Sequence, residues 1–226
     1  MSPTLRTHNE ESPTGARLKR VPTERRQIVA FATRLTKKSA YFSHSSIKFL
    51  PKMTAIEIRK ISLDDLVPLQ EISRQTFQET FAAYNSPENM KSYLKEALSI
   101  EQLTAELEDE NSAFYFALQN EQVIGYLKIN FGAAQTELKE SQALEIERIY
   151  VSKEFHGKNV GQLLYDKAIE IAKQKGSEYI WLGVWEKNSR AIRFYEKNGF
   201  VEFDKHLFKL GDDEQTDLMM KLKLNR

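Results

Sequence analysis

Residues 147–176 read ERIYVSKEFHGKNVGQLLYDKAIEIAKQKG. The stretch passes from strand to loop to helix. Its first residues close a run over 143–151 that alternates. Leu144, Ile146, Arg148 and Tyr150 fall on one face, and Glu145, Glu147, Ile149 and Val151 on the other. After the loop, Val160, Leu163, Leu164, Ala168, Ile171 and Ala172 recur at helical spacing, and Lys175-Gly176 has the form of a helix C-terminus. The loop itself is His156-Gly157-Lys158-Asn159-Val160-Gly161. A helix start leaves backbone N–H groups unpaired and carries partial positive charge. A loop whose amides face inward adds donors for an anion. Asn159 tolerates the left-handed conformation nearly as well as glycine, and Lys158 adds charge. Taken alone, the loop reads either as a phosphate cradle or as an ordinary strand-to-helix turn.

The flanking segments supply a frame. TAIEIRKI (54–61) alternates as a half-buried strand with Ile56 and Ile58 on one face. A helix is expected near 63–83, with Ser62 or Asp64 as cap. Ser86-Pro87 opens a second helix and Ser99 caps a short third pattern. SAFYFALQN and QVIGYLKINF read as strands joined by a tight turn at Asn120-Glu121. EYIWLGVW reads as a buried strand, and NSRAIRFYEKNGF as a helix opened by Asn188 or Ser189 and stopped at Asn198-Gly199. Two last strands flank the acidic turn GDDEQ. The expectation is an α/β domain over 53–226 with about seven strands and about four helices, without internal repeats.

Composition narrows the chemistry. The chain of 226 residues holds no cysteine, which excludes a disulfide framework, a thiolate metal site and a cysteine nucleophile. It also fits a reducing compartment, and the cytoplasm is the expected location. Four scattered histidines argue against a metal centre. No window approaches the roughly 18 apolar residues of a membrane helix.

The net charge of +1 conceals two halves of opposite sign. Residues 1–52 hold 11 Lys+Arg and 3 Asp+Glu, a balance of +8, which leaves −7 on 53–226. The basic segment contains several prolines, many Ser and Thr, and no apolar period, so disorder is expected. It reads as an upstream extension ahead of a start at Met53, as a targeting segment, or as a basic arm; nucleic acid is not the expected partner.

The order of elements and two motifs resemble the GNAT family of N-acetyltransferases. The family's loop pattern, Gln/Arg-x-x-Gly-x-Gly/Ala, is met by 156–161 with two departures, His156 and Asn159. Its later pattern, Asn-x-x-Ala-x-x-Phe-Tyr-x-x-x-Gly-Phe, is matched by Asn188, Ala191, Phe194, Tyr195, Gly199 and Phe200. The stretches 80–94, 180–188 and 210–220 are similar to a spermidine/spermine-acetylating subgroup.

The resemblance implies a mixed sheet splayed between strands four and five, with acetyl-CoA in the splay and no metal. It implies donor-binding roles for Ile149, Val151, His156, Gly157, Lys158, Asn159, Val160, Gly161, Gln162 and Asn188. Tyr195 matches the family's general acid; a core aromatic is the plain alternative. Glu147 matches a strand-four base, with Glu145 as fallback; a solvated strand residue is the alternative. Phe77, Glu79, Tyr84 and Trp185 fall where the family places its acceptor, although Phe77, Phe81 and Tyr84 also keep ordinary core spacing. The implied reaction moves acetyl from acetyl-CoA to a small-molecule primary amine, such as a polyamine, by direct attack. A peptide N-acetyltransferase and a silent acyl-CoA-binding regulator are the rivals. A homodimer is left open.

Overall fold

The computed structural model describes residues 55–210 and 213–224. The basic extension expected over 1–52, and Met53, lie outside these residues. One seven-stranded sheet runs through the described chain in the order β1-β2-β3-β4-β5-β7-β6. The strands are β1 (Glu57–Lys60), β2 (Ser112–Gln119), β3 (Gln122–Phe131), β4 (Ala143–Val151), β5 (Tyr179–Trp185), β6 (Val201–Leu210) and β7 (Asp213–Lys223). Five α-helices are described: α1 (Leu66–Phe81), α2 (Pro87–Glu96), α3 (Ile100–Glu108), α4 (Val160–Lys175) and α5 (Ser189–Lys197). This is one more than the expected count. The Ser86 and Ser99 patterns form separate helices because each serine accepts a bond from a first-turn amide, from Asn89 at 3.1 Å and from Gln102 at 3.0 Å.

Local chemistry explains several other boundaries. Asn120 and Glu121 both take positive φ, 51° and 65°, as a two-residue hairpin between β2 and β3 requires. Gly176 closes α4 at φ 71°, and the Ser177 amide returns to the Ala172 carbonyl at 2.9 Å. Ile56 and Ile58 pack on the same core, as their alternation predicts.

The sheet separates two cores. On one face α4 and α5 cover Leu127, Ile129, Leu144, Ile146, Ile180 and Leu182. On the other, α1 to α3 cover Phe114, Phe116 and Tyr126. Five of the sheet's six strand pairs are antiparallel, but β4 and β5 are parallel. Their ladder is short: only Ala143, Leu144 and Glu145 pair with Tyr179, Ile180 and Trp181. Beyond Glu145 the two strands have no further pairing and open a gap.

A bulge in β4 corrects the simple alternation. Lys128 of β3 pairs with Arg148, whereas Ile129 pairs with Ile146, so Glu147 is the extra residue. An inserted residue shifts every later side chain to the opposite face. Ile149 and Val151 therefore join Leu144 and Ile146 on the α4 side. Glu147 and Arg148, expected on opposite faces, instead form an ion pair at 2.9 Å. Gly125 fits β3 against this stretch closely, because a Cβ there would lie 2.6 Å from the Tyr150 carbonyl oxygen.

Candidate active site

Two cavities meet at the gap between β4 and β5. The first, about 490 Å³, lies over the N-terminus of α4. The second, about 270 Å³, lies between α1, β4, β5 and the β6–β7 hairpin. Both are lined by Ile149, Tyr150, Asn188, Ala191 and Tyr195, so these five residues mark their junction.

The larger cavity is built by the loop. Asn159 adopts the left-handed conformation at φ 66°, and Gly157 lies at φ 78°. Among the described residues, no carbonyl or side chain accepts from the amides of Asn159, Val160, Gly161 or Gln162. Such a ring of unpaired donors at a four-turn helix suits a phosphate. The only atom near a Cβ placed at Gly161 is a Val151 methyl at 3.9 Å. The protein's own packing does not demand glycine there; the bare position keeps the loop amides open to the cavity. His156 is tied to the Val151 carbonyl at 2.8 Å and to Arg190. Lys153, Arg190 and Lys197 add positive charge to the lining.

Of the loop residues expected here, Lys158 is the exception. It does not line the cavity, and its ammonium lies 4.5 Å from the centre of the Phe155 ring. Arg190 and Lys197 were missed. They stand seven apart on α5, two turns along one helix face, and that spacing was legible.

The smaller cavity is acidic. Glu137, Glu145, Glu147 and Asp217 line it, against Arg148 and His206. Phe77 and Trp185 stand in its wall. Phe77 stacks on Tyr93 at 4.2 Å, and Trp185 meets Phe81 at 5.8 Å. Glu79 is not in this wall. Its carboxylate accepts from the Lys153 amide at 2.8 Å, on the side of the larger cavity. Tyr84 lines neither cavity and is 62% exposed, with its ring edge against Trp185 at 4.9 Å.

The two strand-four carboxylates differ in their company. Glu147 Oε2 lies 2.6 Å from Lys128 Nζ and accepts from Asn130 Nδ2 at 2.6 Å. Its Oε1 pairs with Arg148 at 2.9 Å. Glu106 of α3 closes the cluster, 3.0 Å from Lys128 and 2.8 Å from Arg148. Glu145 receives neutral donors only: the Thr136 amide at 2.9 Å, the Thr136 hydroxyl at 2.6 Å and Asn130 at 3.0 Å. Burial pushes its carboxyl up, against those hydrogen bonds.

At the junction, Asn188 caps α5 by accepting from the Ala191 amide at 3.1 Å. Tyr195 sits two helical turns further on. It is buried, and burial alone pushes its phenol above the ordinary value. Among the described residues there is no cluster of three or more His, Asp or Glu that could hold a metal ion, and no helix long and apolar enough to cross a membrane.

A loop of open amides feeding a parallel βαβ crossover, beside a sheet that opens at its fifth strand, is the architecture that comparison with known proteins meets. The model of the acetyltransferase (GNAT) family matches residues 68–200. The chain belongs to the GNAT acetyltransferase family. It is 40% identical over 172 residues to an uncharacterized N-acetyltransferase of Lactobacillus delbrueckii subsp. lactis, covering 76% of this chain and 99% of that one. It is 32% identical to a spermidine N(1)-acetyltransferase of Thermoplasma acidophilum, covering 75% and 98%. The crystal structure of a PaiA N-acetyltransferase from Thermoplasma acidophilum in complex with coenzyme A superposes with a TM-score of 0.63 at 30% identity, over 75% of this chain and 99% of that one. This GNAT protein is therefore an acetyl-CoA-dependent N-acetyltransferase. The amide-lined cavity, with its added basic side chains, fits the phosphates and arm of that donor.

Proposed function

We propose that this GNAT enzyme acetylates a primary amine that carries further positive charge, a polyamine such as spermidine or spermine. The observation that carries the reading is the junction: an acid-lined cavity opens onto the donor cavity beside Tyr195. A polycation is drawn to such a lining, and the −7 balance over 53–226 adds to the attraction. The likeness to a spermidine N(1)-acetyltransferase supports the same class. The proposal places the enzyme in the cytoplasm.

Acetyl-CoA supplies an activated acyl group when bound. The open amides of 159–162, with Arg190, Lys197 and Lys153, hold its phosphates. Ile149, Val151 and Asn188 line the path of its arm. The attacking nitrogen reaches the carbonyl as the free amine, so a proton must leave it first. Glu147 is poorly placed to take that proton, because Lys128, Arg148 and Asn130 already occupy its two oxygens. Glu145 has neutral partners and a raised affinity for a proton, so the role passes to it. Tyr195 keeps its own proton at neutral pH and gives it to the departing sulfur. With Glu145→Gln, the acidic limb of the kcat/KM pH profile should flatten and turnover fall. A Glu145→Gln enzyme with an unaltered profile would return the role to another group.

The test of substrate class is free-thiol release by the full chain with acetyl-CoA and a panel of spermidine, spermine, simple diamines, monoamines and a lysine-bearing peptide. Turnover with the highest kcat/KM on the polyamines is expected. Turnover confined to the peptide would establish the peptide N-acetyltransferase instead. Donor binding with no turnover on any amine would make the protein a silent acyl-CoA sensor.

A further inference from the structure

We propose that Asp217 is the acceptor site's second anchor: it holds a non-reacting ammonium of a di- or polyamine whose other end is being acetylated. The inference rests on the polyamine reading above and adds a residue and a geometry to it.

Four carboxylates line the acceptor cavity, and three of them are engaged. Glu147 is held by Lys128, Arg148 and Asn130, and Glu145 by Thr136 and Asn130. Glu137 pairs with His206 at 3.1 Å. The Asp217 carboxylate has no hydrogen bond or ion pair with any described residue, although the residue is partly buried. Its neighbour across the ladder, His206, points its Nε2 to Glu137 instead. Burial pushes the Asp217 carboxyl up to about 6, with the nearby His206 opposing. A carboxylate left in this state is costly until a cation meets it.

The surroundings leave room for that cation. Gly183 is exposed although its neighbours Leu182 and Val184 on β5 are buried. A Cβ built on it would sit 3.6 Å from Asp217 Oδ2. A glycine in a central strand often marks a place where another group comes close. Here its missing side chain uncovers the carboxylate. Trp185 stands opposite Asp217 in the β5–β7 ladder and offers a ring to the same space.

The position also decides between two roles. Attack takes place at the gap between β4 and β5, where Tyr195 lies. Asp217 is on β7, on the far side of β5, one strand spacing of about 4.8 Å beyond the gap. That offset is wrong for taking the proton of the attacking nitrogen. It matches a second nitrogen a few carbons away on the same molecule.

The experiment measures binding and turnover separately, with the full chain. Calorimetry in the presence of CoA compares 1,4-diaminobutane with butylamine on the wild type, Asp217→Asn and Gly183→Ala. A charge-assisted contact of ordinary strength predicts that Asp217→Asn weakens the diamine roughly 10- to 100-fold and leaves the monoamine within about twofold. Gly183→Ala, which keeps the carboxylate but covers it, should weaken the diamine in the same selective way. Equal losses for both amines would put Asp217 at the reacting end, and diamine binding that is absent in the wild type or unchanged in Asp217→Asn would also overturn the proposal. Binding with the predicted selectivity but without turnover would sink the polyamine acetyltransferase reading and keep the anchor. Turnover with no selectivity would do the reverse. Folding is controlled by thermal unfolding at pH 8. The folded-state pKa lies above the unfolded one, so the charge opposes folding above about pH 6 and the effect fades as pH falls through that value. Asp217→Asn should therefore unfold no earlier than the wild type.

Discussion

Tyr195→Phe is expected to lower turnover by about 10²- to 10⁴-fold, the usual span for a lost general acid, with little change in affinity for CoA. The substitution removes one oxygen and keeps the ring. The ring's contacts to Phe194 at 5.4 Å and Phe200 at 5.7 Å therefore survive, and stability should hold. Tyr195 lines both cavities. Burial holds its proton more firmly than in water, so it is present as a donor throughout the neutral range. A departing thiolate, with a pKa near 8.5 by analogy with cysteine, is strongly basic when desolvated and needs such a donor. If Tyr195 is only a core aromatic, phenylalanine serves as well. Single-turnover thiol release at saturating donor, together with CoA calorimetry, separates the cases. Unchanged turnover would remove Tyr195 from the mechanism.

The second large effect is on stability. Lys128→Met should cost on the order of 3 kcal/mol, because it breaks one corner of a buried charge cluster and leaves carboxylates without their partner. Lys128 has only 6% of its side chain exposed and bridges Glu106 at 3.0 Å and Glu147 at 2.6 Å. Methionine keeps most of the stem volume, so the loss reports the charge rather than a cavity. For a domain of this size the midpoint of thermal unfolding should fall by roughly 6–12 °C. A shift of a degree or less would mean that Arg148 alone satisfies both carboxylates. The double variant Lys128→Met with Glu147→Gln should recover part of the loss, since it removes the stranded charge along with its partner.

Which segments are strands and which are helices was legible because those choices are local. Periodicity placed β4, α4 and β5, the Ser86 and Ser99 caps opened their helices, and Asn120-Glu121 made its turn. The left-handed turn at Asn159 followed from the same local rules, and all the loop's motif residues except Lys158 line the larger cavity. Arg190 and Lys197 could have been added from helix spacing alone.

Other features depend on the assembled sheet. The bulge at Glu147 leaves no mark in an alternating run, because one unpaired residue changes the face of all that follow without changing their identity. That single residue turned an apparent free base into half of an ion pair with its neighbour Arg148. The cluster itself joins Glu106 to Arg148 across 42 positions in the chain, a distance no local pattern spans. Asp217 sits in an unremarkable strand, TDLMM. Only the packing of β7 beside β5, against the bare Gly183, leaves its carboxylate exposed to a cavity and without a partner. Local sequence sets backbone conformation through short-range sterics and hydrogen bonds. Which charges are satisfied and which wait for a ligand is set by distances between strands that are remote in the chain.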